Sequence, residues 1–148
     1  MRARDAEGGE LLVDTRRRLV RSLMMAGVGV LMGSGSPSPF TVPGFGLRRE
    51  LRSMAAAGLT PYEVLVTGTR NVAEYARGEL LEPGNFGTIA EGNRADLLLL
   101  RGNPLEDLEN LWDQEGVMIR GRWIPRSEID EGLSRIAAEH GDRPRPCP

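Results

Sequence analysis

Apolar positions in the first half of this chain recur at helical spacing; in the second half they gather into short runs between turn formers. Leu12, Leu19, Leu23 and Ala26 share one helical face, with Arg16, Arg17, Arg18 and Arg21 mostly on the other. This predicts an amphipathic helix over Glu10–Ala26, ended by Gly27. Val28–Met32 reads as a short strand and Gly33–Gly46 as a loop rich in Gly, Ser and Pro. A helix, strand and loop in that order form one unit of an α/β fold with a parallel strand. A second helix is expected over Leu47–Ala57, stopped by Gly58. Thr60 is placed to cap a third, with Pro61 at its first position and Tyr62-Glu63 in its first turn, running to about Thr67. A short helix over Asn71–Arg77 follows, and Glu82-Pro83-Gly84-Asn85 is a turn-rich domain boundary.

Beyond that boundary the pattern changes. Leu97–Leu100 is an apolar run between Gly92-Asn93 and Gly102-Asn103-Pro104, the pattern of a strand buried on both faces. Val117–Ile119 and Arg122–Ile124 flank Arg120-Gly121, which predicts a tight hairpin with Gly at positive φ. Arg126–Ala138 reads as a last helix, with Ser127 as its cap and Ile129, Leu133, Ile136 and Ala137 on one face. The chain contains no internal repeat.

Composition narrows the chemistry. A chain of 148 residues suffices for one domain with a sizeable core, yet is short for a (β/α)₈ barrel, which needs about 250. Formal charge is −2, with no basic block beyond Arg16-Arg17-Arg18, so neither a nucleic acid nor a membrane is expected as partner. All 19 basic residues are Arg, which excludes Schiff-base, P-loop and carboxylated lysines. The one cysteine, Cys147, lies in a proline-rich tail and has no internal disulfide partner, so a cytoplasmic location is expected. The longest apolar stretch, Leu23–Gly33, is shorter than the about 20 residues of a membrane span, and the N-terminus lacks the apolar region of a signal peptide.

Two phrases carry a resemblance. Gly87-Thr-Ile-Ala-Glu-Gly-Asn-Arg-Ala-Asp-Leu-Leu-Leu-Leu-Arg-Gly-Asn-Pro104 is followed by Gly116-Val-Met-Ile-Arg-Gly-Arg-Trp123. Together they resemble the C-terminal β-sandwich signature of the amidohydrolase superfamily, in particular its imidazolonepropionase-like and prolidase-like members. The likeness extends upstream through Thr69–Tyr75, Thr60–Leu65, Val42–Phe45 and Val30–Ser36, and so covers roughly residues 12 to 125. The fold it implies is α/β: the C-terminal remnant of a (β/α)₈ TIM barrel with β-sandwich strands and a C-terminal helix. Residues 1–82 would be the end of the barrel, 83–125 the sandwich strands, and 126–148 a helix with a disordered Pro/Arg tail. In this reading Val28–Met32 is the last barrel strand.

The resemblance also implies a reaction, the metal-dependent hydrolysis of carbon–nitrogen bonds other than ordinary peptide bonds. Such enzymes hold zinc or another divalent metal with a His-x-His pair, further histidines, often a carboxylated Lys, and an Asp after the last barrel strand. Here that Asp position is Gly35, between Ser34 and Ser36. Glycine supplies no ligand, and neutral hydroxyls do not replace a carboxylate. The one histidine, His140, sits in a polar tail, and a zinc site needs three or four converging ligands. The expectation is therefore no catalytic residue, no metal and no cofactor in this chain. Ser34, Ser36, Phe40 and Phe45 are what remains of a substrate loop; the two phenylalanines can equally be anchors of that loop against the helices.

Gly27-x-Gly29-x-x-x-Gly33 fails the dinucleotide pattern because its glycines precede and enter the strand. Gly33–Ser36 has the composition of an anion-binding nest, but a Ser/Gly segment of this kind is usually just a loop, which is the reading taken. No spacing supports a Ser–His–Asp triad around His140. The carboxylates Glu106, Asp107, Glu109, Asp113 and Glu115 read as a solvated acidic face. The family's sandwich also draws strands from the N-terminal end of the full-length chain. Without them Leu97–Leu100 would leave an apolar edge, which calls for a homo-oligomer or a separately encoded N-terminal half. The alternative is a non-catalytic binding or assembly module, or a truncated gene product.

Overall fold

The computed structural model describes residues 2–36, 44–80 and 85–141. Phe40, the turn residues Glu82–Gly84 and Cys147 lie outside them. The elements run α1 (Arg2–Met25), α2 (Phe45–Ala56), α3 (Pro61–Thr67), α4 (Arg70–Glu79), β1 (Leu97–Leu100), a 3₁₀ turn (Leu108–Trp112), β2 (Gln114–Ile119), β3 (Arg122–Pro125) and α5 (Arg126–Gly141). They fall into two compact units, 1–93 with 105–108, and 94–104 with 109–148. The architecture is thus a set of helices and a small antiparallel sheet. No helix among the described residues is long and apolar enough to cross a membrane.

The core of the first unit is built from pairs three residues apart. Leu51 and Met54 on α2, Val64 and Thr67 on α3, and Ala73 and Ala76 on α4 are all buried, with Ala57 and Leu59 in the connection. That spacing puts each pair on one helical face. Thr67 is the polar member, and its hydroxyl donates to the Val64 carbonyl at 2.6 Å, so it enters the core satisfied. α3 starts as its sequence predicts. The Glu63 amide donates to Thr60 Oγ1 at 3.3 Å and the Thr60 amide to Glu63 Oε2 at 2.7 Å, a reciprocal capping box ahead of Pro61. The Thr60 amide and hydroxyl hold the Glu63 carboxyl below the usual carboxylate range.

Four expectations need correction in this unit and the next. The stripe Leu12, Leu19, Leu23 and Ala26 does not face the core: Leu12 is 50% exposed and Leu19 58%. Arg21 sets the rotation of α1 instead. Its Nη1 donates to the Gly58 carbonyl at 2.7 Å, and the side turned towards α2 carries Val13, Arg17 and Val20. Val28–Met32 forms no strand, because no strand pairs with it among the described residues. The stretch is pinned by helices: the Met32 amide donates to the Thr67 carbonyl at 3.1 Å, and Asn71 Nδ2 to the Val30 carbonyl at 2.9 Å. Ser127 does not cap α5, which starts one residue earlier and directly after β3. The first turn of α5 is tied by its own ion pairs, Arg126 to Asp130 at 2.8 Å and Arg122 to Glu128 at 3.1 Å.

The second unit is a three-stranded antiparallel sheet in the order β1-β2-β3. Its hairpin forms as expected, with both central residues at positive φ, Arg120 at 50° and Gly121 at 83°. β1 pairs Leu97 with Met118, Leu98 with Val117 and Leu99 with Gly116, then slips so that Leu100 meets Gln114. The strand is at the sheet edge and is not buried on both faces, since Leu98 is 51% and Leu99 54% exposed. A run of leucines is buried on both faces only where other elements cover both, and here Leu98 and Leu99, on opposite faces, are each about half exposed.

Candidate functional site

The family-like phrases carry the residues that the fold uses most heavily. Gly87 takes φ 81°, and a Cβ there would meet the Thr69 carbonyl oxygen at 2.5 Å. Asn93 closes the loop that follows, donating from Nδ2 to the Thr88 carbonyl at 3.1 Å and hydroxyl at 3.0 Å. Its own amide donates to the Ala90 carbonyl at 3.1 Å, completing a turn with Gly92 at φ 82° in the third position. Asp96 accepts the Arg120 amide at 2.7 Å, and the Gly121 amide reaches the Ala95 carbonyl at 3.0 Å. The Arg120 amide, more than the neighbouring Arg94, holds the Asp96 carboxyl below its ordinary range. Asp96 therefore locks the hairpin turn to the start of β1. Gly102 makes room for Asn110, whose Nδ2 donates to the Asn103 carbonyl at 2.9 Å. Gly116 lies under the Trp123 ring. Asn93, Asp96 and Asn110 are thus aimed at backbone of the same chain, which is structural work.

The loop after Met32 is where the resemblance would put a metal-binding carboxylate. Gly35 is in the left-handed region at φ 65°, and the Ser36 amide donates to Ser34 Oγ at 3.3 Å, a local side-chain turn. Ser34 and Ser36 both lie against Gly46 in the first turn of α2; a Cβ at Gly46 would stand 3.1 Å from Ser34 Cβ and 3.3 Å from Ser36 Oγ. Phe45 opens α2 with its side chain 80% exposed, so it is not packed as an anchor against the helices. The structure thus brings Ser34, Gly35 and Ser36 together with the start of α2, and Phe45 stands outside that cluster. The donors gathered here are two neutral hydroxyls, one of them already accepting an amide. They do not fit a divalent metal, which in this class of site takes imidazoles and carboxylates. Among the described residues no group of three His, Cys, Asp or Glu is arranged to hold one.

No protein-family profile matches this chain, and no curated protein does. Among solved structures, the crystal structure of an amidohydrolase matches with 31% identity and a TM-score of 0.46. The match covers 53% of this chain, and the chain spans 19% of that structure's length.

Two other places collect ionisable groups. On the second unit Arg101, Trp112, Asp113, Gln114, Arg126 and Asp130 line an open depression. Its charges are matched within it or at its border, Arg101 with Glu115 at 2.7 Å and with Asp113 at 3.7 Å, and Arg126 with Asp130. Part of the acidic run found in the sequence is therefore neutralised by arginine. The second place is the groove between α1 and α2, lined by Val13, Arg17, Val20, Glu50, Met54 and Ala57. Burial raises the Glu50 carboxyl above the usual range. A carboxyl of raised pKa suits proton transfer, and the Ser53 hydroxyl and the Arg16 and Arg17 side chains line the same groove.

Sequence reasoning passed over Glu50 because a glutamate within a helix gives no signal of its own; the burial comes from the neighbouring helix. Its effect is measurable. The folded form holds the proton more tightly than the unfolded chain, so the associated stability is fully present below the unfolded pKa of about 4.3 and is lost as pH rises through the raised value. Glu50→Gln should therefore raise the melting temperature at pH 7, by well under about 1 kcal/mol of stability because the site is open to solvent, and leave it unchanged at pH 4. Thermal scans at the two pH values check this; an equal effect at both would remove the electrostatic cause.

Proposed function

We propose that this chain is the C-terminal part of a metal-dependent amidohydrolase, and that by itself it keeps that scaffold without the catalytic centre. The parent reaction is hydrolysis of carbon–nitrogen bonds in cyclic amides or small amide-like substrates. The observation that supports the reading is the loop Ser34-Gly35-Ser36, where the resemblance puts a metal-binding carboxylate and the chain offers two hydroxyls and a bare glycine in left-handed conformation. The composition supports it, since a chain with one histidine and no lysine lacks the donors to activate water on a metal. No step of hydrolysis is assigned to any residue here.

A second reading, a non-catalytic binding or assembly module, draws on the structural employment of Asp96, Gly87 and Gly116. In either case the chain's partner is a second copy or a separately encoded N-terminal half. Elemental analysis after purification, with zinc and cobalt titration and turnover of cyclic amides and Xaa-Pro dipeptides, tests the proposal. Zinc below about a tenth of an equivalent and no turnover above blank are expected. A stoichiometric zinc in the isolated chain would remove the incompetence claim. A His-x-His barrel encoded immediately upstream would favour the enzyme-part reading over the module.

A further inference from the structure

Arg17 and Glu50 line one groove from facing helices, and no ion pair joins them among the described residues. Val13, Arg17 and Val20 fall on one face of α1, and Glu50, Ser53 and Met54 on one face of α2, at helical spacing. Both faces belong to the first unit, and the groove between them has a volume of about 160 Å³. Were its lining apolar throughout, this would be a gap left by imperfect packing. Instead it carries one group of each charge, both incompletely satisfied. Arg17 Nε is buried and has no hydrogen-bond partner; the ion pair of its guanidinium, with Asp14 at 3.5 Å, runs through Nη1. Glu50 loses water to the neighbouring helix, and no cation offsets that loss. A buried N–H without an acceptor and a desolvated carboxylate without a cation are each relieved by the opposite group of a ligand.

Size and charge narrow the occupant. The volume is about that of five waters at about 30 Å³ each, and lies below the roughly 300 Å³ at which drug-sized sites begin. A nucleotide or a long acyl chain is therefore too large. A divalent cation would find one carboxylate, and a simple anion would set negative charge against Glu50. We propose that the groove binds a small apolar α-amino acid, its carboxylate taken by Arg17 Nε, its ammonium by Glu50 and its side chain by Val13, Val20 and Met54. The Ser53 hydroxyl lines the same groove and can bond either charged end. The proposal rests on this groove alone and does not require the amidohydrolase reading.

A heteronuclear NMR titration of the whole chain at pH 7 tests it. The probes are L-leucine and its two half-molecules, 4-methylpentanoate without the ammonium and 3-methylbutylamine without the carboxylate. Leucine should saturate with a dissociation constant on the order of 1 mM, as suits a few contacts in an open groove, and shift the amides of Arg17 and Glu50. It should bind at least about fivefold tighter than either half-molecule, since each half leaves one charge unanswered. Glu50→Gln should abolish the preference for leucine over 4-methylpentanoate and keep that over the amine. Arg17→Gln should do the reverse, with circular dichroism confirming unchanged helix content in both. No saturable shift up to about 20 mM, leucine bound no tighter than its halves, or a folded variant that keeps the preference it should lose would each overturn the proposal.

Discussion

Gly87→Ala should destabilise the first unit by about 3 kcal/mol. Two costs combine there. An alanine at φ 81° sits in the left-handed region, at about 1–2 kcal/mol. Its Cβ would also stand 2.5 Å from the Thr69 carbonyl oxygen and 3.0 Å from Ala73 Cβ, and forcing an extra carbon into such packing costs about 1–3 kcal/mol. Neither neighbour can turn aside, since Thr69 presents backbone at the start of α4 and Ala73 is in the core. Gly92 is the internal control. It has the same φ, 82°, but open space around its missing Cβ, so Gly92→Ala should lose only about 1 kcal/mol, the conformational part. Urea denaturation followed by far-ultraviolet dichroism and by Tyr62 and Tyr75 measures both. Equal losses at the two positions would remove the close approach of Gly87 to α4.

Gly116→Ala should cost about 2 kcal/mol and move Trp123. A Cβ at 116 would enter the Trp123 ring and stand 2.7 Å from the Ile124 carbonyl oxygen, so the ring must leave its place over β2. Both tryptophans, Trp112 and Trp123, lie in the second unit, and Trp112→Phe leaves Trp123 as the sole indole reporter. In that background Gly116→Ala should shift the emission to longer wavelength as the ring meets more water. A double-mutant cycle with Trp123→Leu apportions the effect: Gly116→Ala should lose at least about 1 kcal/mol of its cost once the ring is gone. An unchanged spectrum with an additive cycle would show that the strand absorbs the extra carbon by itself.

What was legible in the sequence follows the range of the interactions involved. Thr60, Pro61 and Glu63 form a cap within four residues, and the Arg120-Gly121 turn needs only its own dihedrals, so both appear where the pattern puts them. The leucine stripe of α1 was legible as a stripe, but which side meets α2 is decided by the Arg21 bond to Gly58, 37 positions away. Val28–Met32 has strand composition, and a strand also requires a neighbour. Leu97–Leu100 was read correctly as a strand and wrongly as doubly buried, because burial needs other elements over both faces. In the candidate site, the donors missing at Gly35 could be read directly. The use of Asp96 could not, because an Ala-Asp-Leu phrase gives no sign that its carboxylate will accept the Arg120 amide 24 residues on.

The slip between Leu99 and Leu100 has an outcome for this chain at high concentration. It puts Glu115 out of step with β1, where its carboxylate meets Arg101 at the strand's end, and leaves three leucines in regular pairing. Stacked fibril segments need six or seven consecutive residues in register, free of such a kink. The run of four leucines is thus cut to half the length at which it could seed a fibre, and the salt bridge of Arg101 with Glu115 marks where its regular pairing ends.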